Sequence, residues 1–172
     1  MLTRVLAPAL LLVLCLSATP AHASAIGFGE AVVSGNETRI AVNITGVDEL
    51  LNQGLEVIAF DFRALISGLV LTAVEPGSFF DPSNSFLGFD VGGDEQLQVL
   101  STQFGGSAKG DGVLATLVFA GTGLITPQLL NGNLATVFTP EFGDPEFSSV
   151  PLDIASTTNP VPEPGTLGLV GL

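Results

Sequence analysis

Short runs of mainly apolar residues, separated by polar and turn-forming residues, recur along this chain. The clearest run lies between Gly110 and Gly121, where residues 113–120 are almost all apolar. Its odd-numbered residues, among them Leu117 and Phe119, would share one face of a strand, and its even-numbered residues the other. Eight residues with β-branched side chains and flanking glycines favour a strand over a helix. We therefore predict a central strand covered on both faces, with Leu117 and Phe119 in the core.

A second stretch, residues 54–62, has the same character. Its odd-numbered residues from Leu55 to Asp61 would share one face, and its even-numbered residues from Glu56 to Phe62 the other. The same patterning predicts further strands over residues 25–33, 38–45, 69–74, 97–104, 124–130, 134–138 and 150–154. Residues 46–53 are expected to form a helical turn or a loop.

Turn residues separate these stretches. Residues 34–37 read as a turn, and Asn131-Gly132-Asn133 between two apolar runs predicts a hairpin. Pro151 places the last strand at an edge or at a strand start, because proline lacks the backbone donor that a central strand needs. Residues 75–94 form the longest irregular stretch, and they contain Phe79, Phe80, Phe86 and Phe89. About eight or nine short strands joined by such turns indicate an all-β sandwich.

Two of the strands carry a family resemblance. The run from Asp111 to Phe119, D-G-V-L-A-T-L-V-F, resembles the G-D-G-x-L-A-T-[LI]-x-F signature of cohesin-type domains. Residues 57–62 followed by residues 69–74 resemble the upstream strand pair of the same modules. The resemblance implies a cohesin-like jelly-roll β-sandwich over residues 24–155. Cohesins bind dockerins through a sheet face, so it also implies a dockerin-like protein as a partner.

The amino terminus has the features of a secretory signal peptide. Arg4 supplies a positive start, an apolar run continues to Leu16, and Ala21 and Ala23 form an Ala-x-Ala cleavage site. The apolar run of about a dozen residues is short against the roughly 20 that span a membrane. We expect residues 1–23 to form a signal helix that is removed after Ala23, with cleavage after Ala25 as the alternative, and the protein to be exported.

The carboxyl terminus resembles a second targeting signal. Val161, Pro162, Glu163 and Pro164 precede an apolar stretch, as in the PEP-CTERM sorting signal of exopolysaccharide-producing bacteria. The resemblance implies a sorting transpeptidase of the exosortase type that recognises these four residues. It also implies a location in the cell envelope, at the extracellular surface or in the matrix.

The tail itself is expected to be extended and unpacked. Prolines remove backbone donors and disfavour helix in the residue before them, and the tail has Pro160, Pro162 and Pro164. Residues 156–164 would be a linker that carries the motif, and residues 165–172 the start of a transmembrane segment. Eight residues cannot cross about 30 Å of hydrocarbon. No arginine cluster follows them, which suggests that the sequence is a fragment.

The composition of the chain excludes several kinds of catalytic and metal site. The single Cys, His and Met lie within residues 1–23, and the chain has no Trp or Tyr. The mature chain therefore has no Cys or His nucleophile–base pair, no Ser-His-Asp triad and no soft metal site. We predict no catalytic residue, no cofactor and no metal. A core of Phe, Leu, Val and Ile must stabilise the fold without a disulfide.

The charge balance is strongly acidic. All 17 Asp and Glu lie beyond residue 23, against three basic residues, Arg39, Arg63 and Lys109. Such a chain has no cationic patch to release counterions from phosphates, so we predict no nucleic-acid partner. The charge is typical of a protein that must stay soluble outside the cell.

Two sets of acids could in principle act as a glycosidase pair or bind calcium, because glycosidases use paired carboxylates and calcium prefers oxygen ligands. Both sets lie in turn-like sequence, where acids are common, and the spacing from Asp90 to Glu95 does not match an EF-hand. We therefore assign neither a catalytic nor a metal site to them. The sets are Asp90, Asp94 and Glu95, and Glu141, Asp144 and Glu146.

The phenylalanines of residues 79–89 have two interpretations, an exposed binding patch or a cluster packed beneath the loop. We favour packing. The absence of Trp and Tyr counts against sugar binding, which usually uses rings with polar edges. The sequence thus predicts a secreted, non-catalytic module with an adhesive or structural protein-interaction role in exopolysaccharide. The alternative is a polysaccharide-binding module.

Overall fold

A computed structural model describes residues 24–108, 110–139 and 143–155, apart from the side chain of Asp94. The described residues form ten strands, one short α-helix and one 3-10 helix. In chain order these are β1 Ala25–Ser34, β2 Glu37–Thr45, α1 Val47–Asn52, β3 Glu56–Leu65, β4 Val70–Pro76, β5 Ser85–Val91, the 3-10 helix Gly93–Glu95, β6 Gln96–Gln103, β7 Gly112–Ala120, β8 Gln128–Phe138, β9 Glu146–Pro151 and β10 Asp153–Ile154.

The strands form two five-stranded sheets that enclose one core. Sheet A has the order β10-β1-β2-β7-β4, and sheet B has the order β5-β6-β3-β8-β9. All pairs are antiparallel except β1 with β10, which are parallel. The predicted all-β sandwich is confirmed. It has ten strands in place of eight or nine, because the predicted strands 124–130 and 134–138 merge into β8, β5 is added, and the last predicted strand divides into β9 and β10.

Strand β7 carries the predicted core residues. Leu117 and Phe119 are fully buried between the sheets, and on the other face Val118 is only 2% exposed. Because β7 pairs with β2 on one side and β4 on the other, it is an interior strand of sheet A. The prediction of an interior strand covered on both faces is confirmed.

Helix α1 closes one end of the sandwich between β2 and β3. Val47 and Leu50 are buried, so the short helix packs one apolar edge on the core. Its N-terminus receives a contact from a distant part of the chain, since the backbone N–H of Val47 donates to Asp111 Oδ1 at 3.0 Å. The predicted helical turn over residues 46–53 is confirmed.

The face assignment predicted for residues 54–62 is wrong at its start. The register of β3 against β8 shifts between Val57 and Ala59, which is the mark of a β-bulge. The extra residue turns Val57 to the same side as Phe60 and Phe62, and all three are buried. Ala59 and Asp61 consequently lie on the opposite, outer face. Strict alternation cannot show a bulge, so the sequence places Val57 on the wrong side.

The hairpin predicted at Asn131-Gly132-Asn133 does not form. These residues lie inside the continuous strand β8, where Gly132 is paired with Phe62 and Asn133 with Asp61. A Cβ on Gly132 would lie 3.2 Å from Leu152 Cδ1 and 3.4 Å from the Asp61 carbonyl oxygen. Glycine is thus needed here for the close approach of neighbouring chain segments.

Residues 75–94 are less irregular than predicted, because they contain strand β5. Their phenylalanines divide between the two interpretations. Phe79 and Phe80 are buried with Phe60, at ring-centroid distances of 4.8 Å (Phe79 to Phe80) and 5.6 Å (Phe60 to Phe80). Phe86 and Phe89 lie on β5 and are about half exposed. The packing prediction is therefore right for the first pair and wrong for the second.

The last predicted strand is divided into two. β9 is the edge strand of sheet B and ends at Pro151, which confirms the edge position that proline indicated. The chain then passes through the buried Leu152, and β10 joins the edge of sheet A. No helix within residues 24–108, 110–139 and 143–155 combines the length and apolar character that a membrane span requires.

Candidate functional site

The outer face of sheet B is an open surface of side chains aligned across five strands. Directly opposed residues of an antiparallel pair lie on the same face, so the registers define rows across all five strands. One row consists of Phe86, Thr102, Ala59, Ala135 and Ser149. The next row consists of Gly88, Leu100, Asp61, Asn133 and Pro151.

The small side chains of the first row leave a shallow depression of about 250 Å³ in this face. Its floor is formed by two alanines and a serine on the three strands β3, β8 and β9. Its lining includes Ala59, Asp61, Leu100, Thr102, Asn133, Ala135 and Ser149. A depression in an otherwise flat sheet gives a protruding side chain of a partner a place to dock.

Exposed apolar side chains flank the depression. Phe147 on β9 is 70% exposed and lies opposite Val137. On the other side, a Cβ built on Gly88 would lie 3.0 Å from Phe86 Cε1 and 3.6 Å from Leu100 Cδ1. Phe86 and Leu100 therefore approach each other above Gly88. The glycine gives them room, and together they form an apolar ridge.

Four charged side chains of the described residues lie on this face. Asp61 lies beside the depression, Arg63 and Asp90 share the third row on either side of Gln98, and Glu56 lies opposite Val137. Arg63 makes no ion pair within residues 24–108, 110–139 and 143–155. Asp61 and Arg63 are two positions apart on β3, so one charge of each sign lies close to the depression.

The outer face of sheet A differs in having an ion pair across its middle. Arg39 on β2 donates to both carboxylate oxygens of Glu75 on β4, at 2.7 and 2.9 Å. Hydrogen bonding to Glu75 raises the pKa of Arg39, so the guanidinium stays charged. Because β7 lies between β2 and β4, the ion pair crosses above β7 and buries Val118.

A second concavity, of about 840 Å³, lies at one end of the sandwich between residues 78–84 and the glycine-rich residues 105–111. Its walls include Asp81 and Asp111, and Asp111 already accepts a hydrogen bond from Val47. No cluster of three or more Asp, Glu, His or Cys suited to a metal ion occurs in the part of the chain that the structure describes.

The two acid sets lie at different places in sheet B. Asp90 is near the end of β5 and Glu95 ends the 3-10 helix that follows, whereas Asp144 precedes β9 and Glu146 begins it. β5 and β9 are the opposite edges of sheet B, with three strands between them. Glu141 and the side chain of Asp94 lie outside the description.

The predicted processing residues also lie outside the described part of the chain. These are Ala21 and Ala23 at the amino end and Val161, Pro162, Glu163 and Pro164 at the carboxyl end. The residues of the outer face of sheet B were not singled out from the sequence as a site. The alternation in β6 did place Gln98, Leu100 and Thr102 together, opposite the buried Leu97, Val99 and Ser101.

No protein-family model matches the chain, and no curated protein matches it either. Solved structures of cohesins do match. The sixth cohesin of Acetivibrio cellulolyticus scaffoldin B, crystallised in complex with a Cel5 dockerin, has a TM-score of 0.50 at 16% identity, over 77% of this chain and 94% of that one. The seventh ScaB type I cohesin of Pseudobacteroides cellulosolvens has a TM-score of 0.50 at 13% identity, over 78% of this chain and 94% of that one. The chain therefore has a cohesin-like jelly-roll β-sandwich fold.

Proposed function

We propose that this chain is an exported, non-catalytic protein-interaction module with an adhesive or structural role in the envelope or exopolysaccharide matrix. Its binding surface would be the outer face of sheet B. The observation that carries this proposal is the depression in that face, with the exposed side chains of Phe86, Leu100 and Phe147 around it. On sheet A, the Arg39–Glu75 ion pair crosses the middle of the outer face instead.

The chemistry of this surface suits a protein partner. Protein interfaces are depleted of charged residues at their centre and enriched in aromatic ones. Phe86, Leu100 and Phe147 remain exposed around the depression, where a soluble chain would gain by having polar residues. Since a cohesin of the same fold is solved with a dockerin, a dockerin-like protein is the class of partner that we propose.

A polysaccharide partner fits this surface less well. Sugar-binding platforms usually combine a stacking ring with a polar edge, as Trp and Tyr do. The aromatic residues here are Phe alone. A glycan array, with and without calcium, is expected to show no binding, and a specific glycan hit that Phe147→Ala abolishes would favour the polysaccharide alternative.

Catalysis is not part of the proposal. Each acid set lies in a connection or at a strand end, Asp90 and Glu95 around the β5–β6 connection and Asp144 and Glu146 at the start of β9, and the mature chain has no His or Cys. We expect no turnover of polysaccharide. Turnover that Asp94→Asn or Glu146→Gln abolishes would contradict this.

The contacts of Ser24 support signal-peptide cleavage after Ala23. Ser24 is buried, its Oγ donates to the Gly46 carbonyl at 3.2 Å, and its own carbonyl accepts from Asp153 N at 2.9 Å. Cleavage behind Ala25 would remove these bonds together with the pairing of Ala25. We therefore propose Ser24 as the first residue of the mature chain.

Sorting through residues 161–164 fits the place where the sandwich ends. β10 lies at the edge of sheet A, and Ala155 N donates to the Ile26 carbonyl at 2.8 Å. The motif begins six residues after this last bond, at Val161. We propose that an exosortase-type transpeptidase recognises Val161, Pro162, Glu163 and Pro164.

Expression of the full-length gene in a host that has such an enzyme tests both ends. Intact-mass measurement is expected to give an amino terminus at Ser24 and a shortened carboxyl end. The double variant Pro162→Ala, Glu163→Ala should keep its carboxyl end and stay in the membrane. Processing of the double variant at the wild-type rate would refute the sorting proposal, and a start at Ile26 would refute the proposed amino terminus.

Site-specific photo-crosslinking tests the binding face. A photoreactive residue at Thr102, on the outer face of sheet B, is compared with one at Ala41, on the outer face of sheet A. In the extracellular fraction of the source organism, Thr102 is expected to capture one protein that Ala41 does not. The captured protein, identified by mass spectrometry and purified, must then bind the unmodified chain. Equal capture from both positions, or no binding by the purified protein, would contradict the proposal.

A further inference from the structure

Strand β5 has one unpaired side. It is one edge of sheet B, and within the described residues it pairs only with β6. Two flanking hydrogen bonds, Phe104 N to the Asn84 carbonyl and Gly92 N to the Gln96 carbonyl, show which residues point toward β6. These are the even-numbered ones. The backbone N–H and C=O groups of the odd-numbered residues of β5 therefore point away from the sheet, into solvent.

The free side of β5 is apolar. Phe89 and Val91 are each about half exposed, and Leu87, on the same face of β5, is partly exposed. Asp90 is the one charged residue among the seven of β5. A long, flat and hydrophobic edge strand is a template for pairing with another strand.

The other edges of the two sheets carry features that discourage such pairing. β4 has a register shift between Leu71 and Ala73 and ends at Pro76. β9 begins with Glu146 and ends with Pro151, and β10 has only two residues. Bulges, prolines and charges are the usual protections of edge strands. β5 has no proline and keeps one register against β6 over all seven residues.

We propose that β5 is a self-association site, at which the β5 strands of two copies of this chain pair antiparallel about a two-fold axis. The register follows from the length of the strand. With Gly88 of each copy on the axis, Leu87 lies opposite Phe89 of the second copy, and Ser85 lies opposite Val91. All seven residues of both strands are then paired.

This register satisfies the free backbone groups. The odd-numbered residues, whose N–H and C=O groups point outward, become the hydrogen-bonded pairs of the new ladder. A shift by two residues in either direction would leave groups at one end of each strand unpaired. Asp90 lies opposite Phe86 of the second copy, so the two carboxylates do not oppose each other. The apolar Leu87 and Phe89 thus meet across the axis and no carboxylate faces another, which is why a second copy is the occupant.

The acidic charge of the chain sets the salt dependence. At a formal net charge of −13 before processing, two copies repel each other over distances of about the 10 Å Debye length at 0.1 M salt. The contact itself is made of backbone hydrogen bonds and apolar side chains, which salt does not screen. Association is therefore expected to strengthen as salt is raised, the reverse of an interface held by ion pairs.

Analytical ultracentrifugation of the processed chain, at 0.1 and 0.5 M NaCl, tests the proposal. The wild type is expected to reach the dimer mass with rising concentration, at lower concentration in high salt. Phe89→Lys should raise the dimer dissociation constant at least tenfold. Phe147→Lys is the matched control, because Phe147 is also an exposed phenylalanine but lies on β9, at the opposite edge of sheet B. It should leave the dimer in place.

Val91→Pro is a second variant, which removes only an outward-pointing N–H and should also weaken the dimer. Thermal melts of each variant exclude unfolding as the cause. A wild type that stays monomeric up to millimolar concentration, or a Phe89→Lys variant that dimerises like the wild type, would overturn the proposal.

Cysteine crosslinking tests the register, since the mature chain has no Cys. Gly88 residues that face each other in a non-hydrogen-bonded pair have Cα atoms about 4.5 Å apart, within the range of a disulfide. Gly88→Cys is expected to form a covalent dimer on mild oxidation. Asp90→Cys should form no covalent dimer, because Asp90 lies opposite Phe86 of the second copy and the two cysteines would be four residues apart. The reverse result would overturn this register.

The proposal stands apart from partner binding on the outer face. Phe89→Lys is expected to lose the dimer and keep the partner, whereas Phe147→Lys, on the outer face but far from β5, should keep the dimer and weaken the partner. Failure of one assay therefore leaves the other informative.

Discussion

At the residue scale, burial in this chain follows alternation wherever a strand is regular. Leu117 and Phe119 are fully buried as their positions in β7 predict, and Leu97 and Val99 in β6 are buried likewise. The exceptions come from contacts that no local pattern contains. Val57 turns inward because of the bulge that follows it, and Phe79 and Phe80 are buried because Phe60 lies beneath their loop.

Phe119 gives the residue-scale prediction. Replacing this fully buried ring with alanine leaves a cavity between the sheets, so Phe119→Ala should lower the free energy of unfolding by about 3–5 kcal/mol. Val70→Ala, at a position that is 72% exposed in β4, is the control and should change it by less than about 0.5 kcal/mol. Urea denaturation measures both. Equal effects of the two substitutions would mean that Phe119 is not a core residue.

At the scale of elements, the sequence predicts which stretches are strands better than it predicts where strands end. The hairpin expected at Asn131 and Gly132 is the clearest error. An Asn-Gly pair favours a tight turn locally, but pairing with β3 on one side and β9 on the other keeps β8 extended. β5 was missed for a similar reason, since Gly88 and Asp90 disfavour a strand until the ladder with β6 is considered.

Helix α1 gives the element-scale prediction. It has six residues, too few to be stable alone, and Gly46 at its N-cap has no side chain to cap it. Asp111 supplies an acceptor to Val47 N from 64 residues away. Asp111→Ala should therefore cost about 0.5–2 kcal/mol, in the range of lost N-caps.

Glu49→Ala is the matched control for Asp111→Ala. It removes the same charge from an exposed position of α1, and it breaks no backbone contact that the structure contains. Both variants are compared by chemical denaturation at one salt concentration. If Glu49→Ala costs as much as Asp111→Ala, charge rather than capping explains the effect.

At the scale of the whole molecule, two sheets of equal size differ in what their outer faces expose. Sheet A carries the Arg39–Glu75 ion pair across the middle of its outer face, and sheet B has a depression with Leu100 and Phe147 exposed around it. The sandwich itself was predictable from the number and spacing of short strands. The binding face was not, because it depends on which residues of five strands share a row, and rows are set by registers between distant segments.

The most direct test of a protein-binding face is the affinity of the purified, crosslink-identified partner for three forms of the chain, measured by isothermal titration calorimetry. Leu100→Asp places a charge on the outer face of sheet B, and Val32→Asp places the same charge on the outer face of sheet A at a more exposed position. We predict that Leu100→Asp raises the dissociation constant at least tenfold and that Val32→Asp leaves it within twofold of the wild type. Equal affinities for Leu100→Asp and the wild type, with both folded, would contradict the account.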